Sequence, residues 1–264
     1  MGPVRKPGAD RPWWLAVLLI CGALAAWQVA SDPVQVKTLA ILAKGIRITL
    51  MVTLTAFAGA LLVGLGLALA GQSRWLLVRQ SARLFIEVMR GLPIIVVLLY
   101  TAFALAPALV AGWNALGLPA VSTRDFPLIW RAVLALILAY GAFLAEVFRA
   151  GLQSVEQGQI EAAKALGLNR WQRFRHVTFP QAFRTILPPL GNDFVAMVKD
   201  SSLVSVLGVA DVTQMGKVTA AANFRYFETY NLVALIYLTL TVSLSLALSA
   251  LERHLRSRGA PERD

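Results

Sequence analysis

The sequence predicts an all-α integral membrane protein of about six transmembrane helices, and three observations carry that prediction. Hydrophobic residues make up 58% of the 264-residue chain, against roughly 45–50% in soluble domains. Charged residues make up 15%, where about 25% is usual. Apolar runs of membrane-spanning length recur along the chain, separated by short basic stretches. The net charge of +11 fits basic loops on one membrane side and excludes no membrane class, whereas on a soluble chain it would suggest nucleic acid. The single cysteine, Cys21, lies in an apolar run. It allows no intrachain disulfide and suggests no metal site.

Residues 1–12 carry Arg5, Lys6 and Arg11, and Trp13 to Ala30 then runs without a charge. Cleavage near Ala30 would put Gln28 where a signal peptide needs a small residue, so the run reads as a retained anchor. The second span is Ile48 to Ser73, with Gly59, Gly64 and Gly66 suited to close helix packing. A short loop with Arg74, Arg79 and Arg83 follows. The third span is entered through Glu87-Val88-Met89-Arg90-Gly91-Leu92-Pro93, and no charge occurs from Gly91 to Thr123. Glu87 and Arg90 are three apart, share a helix face and can pair. Pro93 frees a carbonyl and predicts a break. Pro107 is expected to end this helix, leaving Gly112 to Arg131 as an external loop.

The fourth span is Arg131 to Phe148, with Glu146 and Arg149 at its inner boundary. Glu87, Arg90, Pro93, Glu146 and Arg149 are therefore candidate gating or structural residues. The fifth span lies between Ile186 and Ala210, although it contains Asp193, Lys199 and Asp200. Pro188-Pro189 is expected to mark its start, because proline is tolerated in a first turn. Hydropathy alone overlooks this helix, but parity requires it. The sixth span is Thr229 to Leu251, and a basic tail follows with Arg253, Arg256, Arg258 and Arg263. The expected organisation is 1–35 as N-terminal segment plus one helix, 36–255 as the transmembrane domain and 256–264 as the tail. With the N-terminus inside, the inner segments hold sixteen Lys/Arg and the outer ones seven. The positive-inside rule then puts both termini in the cytoplasm.

Between the fourth and fifth spans lies a basic, amphipathic stretch. Ser154 with Gln157 matches a capping box, predicting a helix over Val155 to Leu166. Gly167 suits its end, since a left-handed C-cap costs glycine no Cβ clash. Asn169 with Gln172 repeats the cap, predicting a second helix over Arg170 to Thr178. Pro180 disfavours helix at Phe179. The expectation is a helix–turn–helix outside the bilayer. Glu161 offers a charge, and Ala162 and Ala163 keep one side slim, as helix-in-groove docking requires. On these residues alone, the alternative is an amphipathic loop resting on lipid headgroups.

Glu161-Ala162-Ala163, then three residues, Gly167, nine residues, Val177, one residue and Phe179-Pro180 resembles the EAA loop of ABC-importer permeases. Val177 and Phe179 stand where that pattern has Ile and Leu. Further segments agree in order: Arg90-Gly91-Leu92-Pro93, Ala145-Glu146-Val147-Phe148-Arg149-Ala150-Gly151, Gly158-Gln159-Ile160, Leu187-Pro188-Pro189-Leu190 and Lys199-Asp200-Ser201-Ser202-Leu203. Together they resemble the polar amino-acid branch of these permeases, the histidine/glutamine/arginine type, over about residues 44–252. The resemblance implies a type I ABC importer permease core of five helices, plus one N-terminal helix, with a cytoplasmic coupling helix pair in the bacterial inner membrane. It implies that Gly158, Glu161, Ala162, Ala163, Gly167 and Pro180 couple the chain to ABC ATPase subunits. It further implies a second permease, identical or homologous, and an extracytoplasmic amino-acid-binding protein. No cofactor is expected in this chain, ATP and Mg belonging to the ATPase.

A Lys or Asp at the bilayer centre costs about 2.5–3.5 kcal/mol on insertion scales. Lys199, Asp200, Ser201 and Ser202 are accordingly candidates for the translocation path. The alternative is a structural charge pair in a broken helix. No phosphate-loop signature, H-E-x-x-H or G-x-S-x-G occurs, so no enzyme is expected. The rival function is a secondary amino-acid carrier driven by an ion gradient, with Lys199 and Asp200 as coupling residues.

Overall fold

A computed structural model describes residues 13–257, all of whose regular elements are helical. The basic segment at 1–12, with Arg5, Lys6 and Arg11, and the end of the tail at 258–264 lie outside the described residues.

Helix α1 (Trp13–Ser31) turns at Asp32 into α2 (Pro33–Ala70). Asp32 caps α2, its carboxylate accepting from Val34 N at 2.8 Å, and Pro33 occupies the first turn. α2 is 38 residues long, far more than the roughly 20 needed to cross a bilayer. It therefore includes the lysines and arginine expected outside the second span. Among the described residues, four helical stretches are long and apolar enough to cross a membrane: Pro33–Ala70, Ile94–Ala115, Leu128–Gln153 and Tyr226–His254. The first and fifth expected spans, over α1 and over 186–210, are not among them; for the fifth, its charges foretold this.

The segment from Arg74 to Arg90, expected as a short loop leading into the third span, is instead mostly α3 (Leu76–Gly91). One side of α3 packs inward through Ala82 and Ile86, and Leu77 and Leu84 are exposed. The break expected at Pro93 is present: Leu92 is extended and α4 (Ile94–Tyr100) starts after it. Pro107 does not end the third span. A π turn, Thr101–Leu105, follows α4, and α5 (Ala106–Ala115) continues with Pro107 in its first turn. The wider turn moves the missing donor to a tolerated position. Ala106 N bonds Thr101 O. The next carbonyl in that register, Ala102 O, would need an N–H that Pro107 lacks, and Arg131 Nη1 supplies the bond at 3.0 Å.

Helix α6 (Leu128–Gln153) is the central element. α2 runs alongside it in the same direction, and glycines set the approach. A Cβ on Gly64 would lie 2.9 Å from Leu144 Cβ and 3.0 Å from Gly141 O, and one on Gly141 would lie 2.8 Å from Val63 Cγ1. The main core gathers Leu136, Ala139 and Leu144 of α6 with Val52, Ala56, Leu98, Met197 and Val204 from four elements around it.

After α7 (Gln157–Ala165) and α8 (Arg170–Arg173), a second π turn, Phe174–Thr178, leads without interruption into α9 (Phe179–Asp200). The expected break at Phe179 and the expected start at Pro188-Pro189 are therefore both wrong. Phe179 is helical, and both prolines lie inside α9. The π turn widens the register just ahead of Pro180, which then sits in the tolerated first turn of α9. A 3-10 turn, Ser201–Leu207, ends α9, with Gly208 at φ 74. A helix not foreseen, α10 (Val212–Asn223), follows, and α11 (Tyr226–Ser257) closes the chain. The Asp211-x-x-Gln214 cap was its legible signal, since Asp211 Oδ1 accepts from Gln214 N at 2.8 Å.

Candidate functional site

The first candidate site is α7 and what holds it. Its N-cap is Glu156, not Ser154. Ser154 closes α6 instead, its Oγ donating to Gly151 O at 2.8 Å and lying 3.2 Å from Thr185 Oγ1 of α9. The predicted capping box at Asn169 and Gln172 is present, with two reciprocal 2.9 Å bonds. Gly167 adopts φ 75, and Leu168 N bonds Ala163 O at 3.1 Å, so the turn after α7 is a left-handed C-cap.

Glu161, Ala162 and Gly158 are exposed, whereas Ala163 is buried. Gly158 has open space where a Cβ would stand. Leu166 is 80% exposed at the tip. A cleft of about 350 Å³ runs between α7 and the α8–α9 segment, walled by Gln159, Ala162, Leu166, His176, Val177 and Gln181. Gln181 Nε2 donates to Gln159 Oε1 across it. Beneath, Val155, Ala182 and Ile186 form a small core with Val147, Leu152 and Ile160. Thus α7 rests on the end of α6 and the start of α9, with its Glu161 side free.

A second cleft of about 400 Å³ opens at the same end, between α2, α3 and α6. It brings together Glu87, Glu146 and Arg149, with Arg83, Gln72 and Gln153. Arg149 forks onto Glu146, its Nε lying 3.1 and 3.2 Å from the two carboxylate oxygens, while Nη2 also pairs with Oε2. Its Nη1 donates to Gln153 at 2.8 Å. Glu87 and Arg90 form no ion pair, although they share a face of α3.

The path candidates do not gather around one cavity. Asp200 accepts from Tyr140 OH at 2.7 Å, near the middle of α6. Lys199 points to a groove between α9 and α11 with Val195, Thr241, Ser245 and Ser249. Ser201 is fully buried and donates to Val198 O at 2.7 Å, while Ser202 is half-buried. α9 therefore ends near the mid-depth of α6 and α11, and α10 continues from there. A polar node that sequence reasoning overlooked lies just beyond. Buried Asp211 accepts from Tyr237 OH at 2.9 Å, Thr213 Oγ1 donates to Tyr237 OH at 3.1 Å, and Val212 N donates to Thr49 Oγ1 at 3.3 Å. Lys217 Nζ donates to Ser205 Oγ at 3.0 Å, tying α10 to the 3-10 turn.

Residues 60–258 match the family described as the binding-protein-dependent transport system inner membrane component. The chain is 38% identical over 220 residues to the glutamine transport system permease protein of Escherichia coli K12, covering 82% of this chain and 93% of that protein. It is 31% identical to the arginine transport system permease protein of Bacillus subtilis, over 81% of this chain and 92% of that one. Among solved structures, an amino acid ABC transporter with histidines superposes with a TM-score of 0.72 at 36% identity, covering 83% of this chain and 96% of the other. A methionine ABC transporter in inward-facing form gives a TM-score of 0.63 at 17% identity, covering 81% and 96%, a likeness of fold. With the packing and the comparisons together, the chain belongs to the binding-protein-dependent transport family, as a multi-pass inner-membrane permease of the amino-acid ABC importers.

Proposed function

We propose that the chain forms the translocation path for a polar amino acid and receives its motion through α7. The observation that carries this reading is an exposed Glu161-Ala162 surface on a short helix whose other side is fixed to α6 and α9. Gly158, Glu161, Ala162, Ala163, Gly167 and Pro180 form this handle, and an ABC ATPase subunit carrying ATP and Mg grips it from the cytoplasm. Both termini lie on that side. A second permease completes the path, and an extracytoplasmic binding protein delivers the solute. The chain itself carries no catalytic role. Asp200, Ser201, Ser202 and Lys199 flank the place where α9 gives way to a 3-10 turn, and irregular backbone at membrane depth is tolerated where it is covered by protein or lines a cavity. Glu87, Arg90, Pro93, Glu146 and Arg149 surround the inner mouth.

Reconstitution tests this. Proteoliposomes holding the permease, its ATPase and its binding protein should take up amino acid only with ATP on the ATPase side. Glu161→Lys should abolish uptake while the permease still inserts. Uptake driven by an ion gradient without the ATPase would establish the secondary carrier instead.

A further inference from the structure

The cleft between α2, α3 and α6 holds charges that the coupling reading does not use. Its volume is about 400 Å³, within the roughly 300–1,000 Å³ of small-molecule sites. Six charged or amide side chains line it: Gln72, Arg83, Glu87, Glu146, Arg149 and Gln153. Glu146, Arg149 and Gln153 are committed to one another. Arg83 and Glu87 are not: among the described residues neither has an ion pair or a side-chain hydrogen bond. They stand four apart on α3 and so are neighbours on its surface, but a cation N-terminal to an acid is the weaker order for pairing. The helix aims both at the cleft. Ala82 and Ile86 are buried, Leu77, Leu84 and Val88 are exposed on another side, and Arg83 and Glu87 occupy the arc between.

The lining balances two arginines against two glutamates. A simple anion there meets Glu87 and Glu146, and a simple cation meets Arg83 and Arg149. A small ligand carrying both signs satisfies Arg83 and Glu87 together, and charge-assisted bonds of this kind are the stronger class. Gln72 and Gln153 add amide groups for a polar side chain. The cleft reaches Gln153, the last residue of α6, and so opens at the end of the molecule that carries α7.

We infer that this cleft is a binding site for a free zwitterionic α-amino acid, with the carboxylate on Arg83 and the ammonium on Glu87. The assignment rests on the proposed passage of an amino acid through the chain, and it puts a contact with that cargo on the side of release, apart from Lys199 and Asp200.

The test uses the complete transporter, permease with its ATPase, in nanodiscs. In a Cys21→Ser background, Gln72→Cys puts a thiol in the cleft and Leu116→Cys puts one at the far end of the molecule. Labelling by a polar maleimide is read on the permease. L-Glutamine and L-arginine, as probes, should slow labelling of Gln72→Cys and leave Leu116→Cys unchanged. Glutaramic acid, which lacks the ammonium of glutamine, and 4-aminobutanamide, which lacks its carboxylate, should not protect. Arg83→Gln or Glu87→Gln should raise the concentration for half protection by roughly tenfold or more, as loss of one charge-assisted bond implies. If these variants fail to assemble, the two analogues on the Gln72→Cys transporter decide. The site is overturned if neither amino acid protects, if an analogue protects as well as glutamine, if both thiols slow alike, or if the variants leave half protection unmoved. A Gln72→Cys thiol unreactive before any amino acid is added overturns it too, since the ATPase then covers the cleft. Import that needs ATP without protection of the cleft removes this site and keeps the coupling reading. Protection together with import driven by an ion gradient alone removes the coupling reading and keeps the site.

Discussion

Arg131 shows how one side chain repairs a helix that its own sequence damages. It is 8% exposed, and it donates to Phe126 O at 2.7 Å, to Thr123 O and to Ala102 O, with Phe126 also beneath its guanidinium. Among the described residues Arg131 forms no ion pair; carbonyl dipoles hold the charge. From sequence, Arg131 was only the last residue of an external loop, because nothing local tells that a carbonyl 29 residues earlier lacks a donor. Replacing Arg131 with Ala should cost about 1–3 kcal/mol, the range for an orphaned buried acceptor, measured by thermal unfolding in detergent. Gly45 makes an opposite kind of demand. An added Cβ would lie 2.7 Å from Asp211 C and Val212 N, both backbone atoms. Gly45→Ala should therefore destabilise by about 1–3 kcal/mol, as overpacking does, whereas Gly66→Ala, with open space around it, should be near neutral. Glycine content suggested close packing in the sequence, but which glycines are pressed is decided by partners far along the chain.

At the scale of elements, both π turns precede a proline by two residues: Thr101–Leu105 before Pro107, and Phe174–Thr178 before Pro180. The sequence reading took each proline as a helix boundary. That rule assumes an α register, and one widened turn removes its premise. Pro107 and Arg131 are coupled as a result, through Ala102 O. In a Pro107→Ala background the new N–H can satisfy Ala102 O, so Arg131→Ala should cost less there than alone, and a double-mutant cycle on unfolding should return a clear interaction energy. The join between α1 and the rest is another element-scale device. Asp32 at the α1–α2 corner pairs with Arg225 Nη1 at 2.6 Å, before α11. Its carboxyl is held below the usual carboxylate range, first by the Val34 N–H it accepts and then by Arg225. A lowered value means the clip holds above the ordinary carboxylate range and weakens as pH falls through the lowered one. Hydrogen exchange at α1 should therefore rise only at strongly acidic pH, and Asp32→Asn should raise exchange at neutral pH and flatten that dependence.

At the scale of the whole molecule, the long apolar helices and the turn at Gly167 were legible because composition, a capping box and a left-handed glycine are local signals. α3 and α10 were not, because each is a helix of mixed polarity whose burial comes from neighbours. Likewise, Asp200 was visible as a costly charge, but its partner Tyr140 lies 60 residues away. The proposed orientation makes its own forecast. The chain has one cysteine, so after Cys21→Ser a single probe cysteine reports its side cleanly. Leu166→Cys should label only from the cytoplasm and Leu116→Cys only from outside; the reverse pattern would refute the arrangement. One further consequence comes from the unbroken path through α8, the second π turn and α9. Some thirty consecutive residues form a strut of about 45 Å, with α7 lashed to its foot by Gln159 and Gln181 and its head stopping where Asp200 meets Tyr140. Such a strut has little give along its axis except at the π turn and at Pro188-Pro189. Under the proposed coupling, a shove at the foot would arrive at the head as travel rather than as bending, less whatever the π turn and that proline pair absorb.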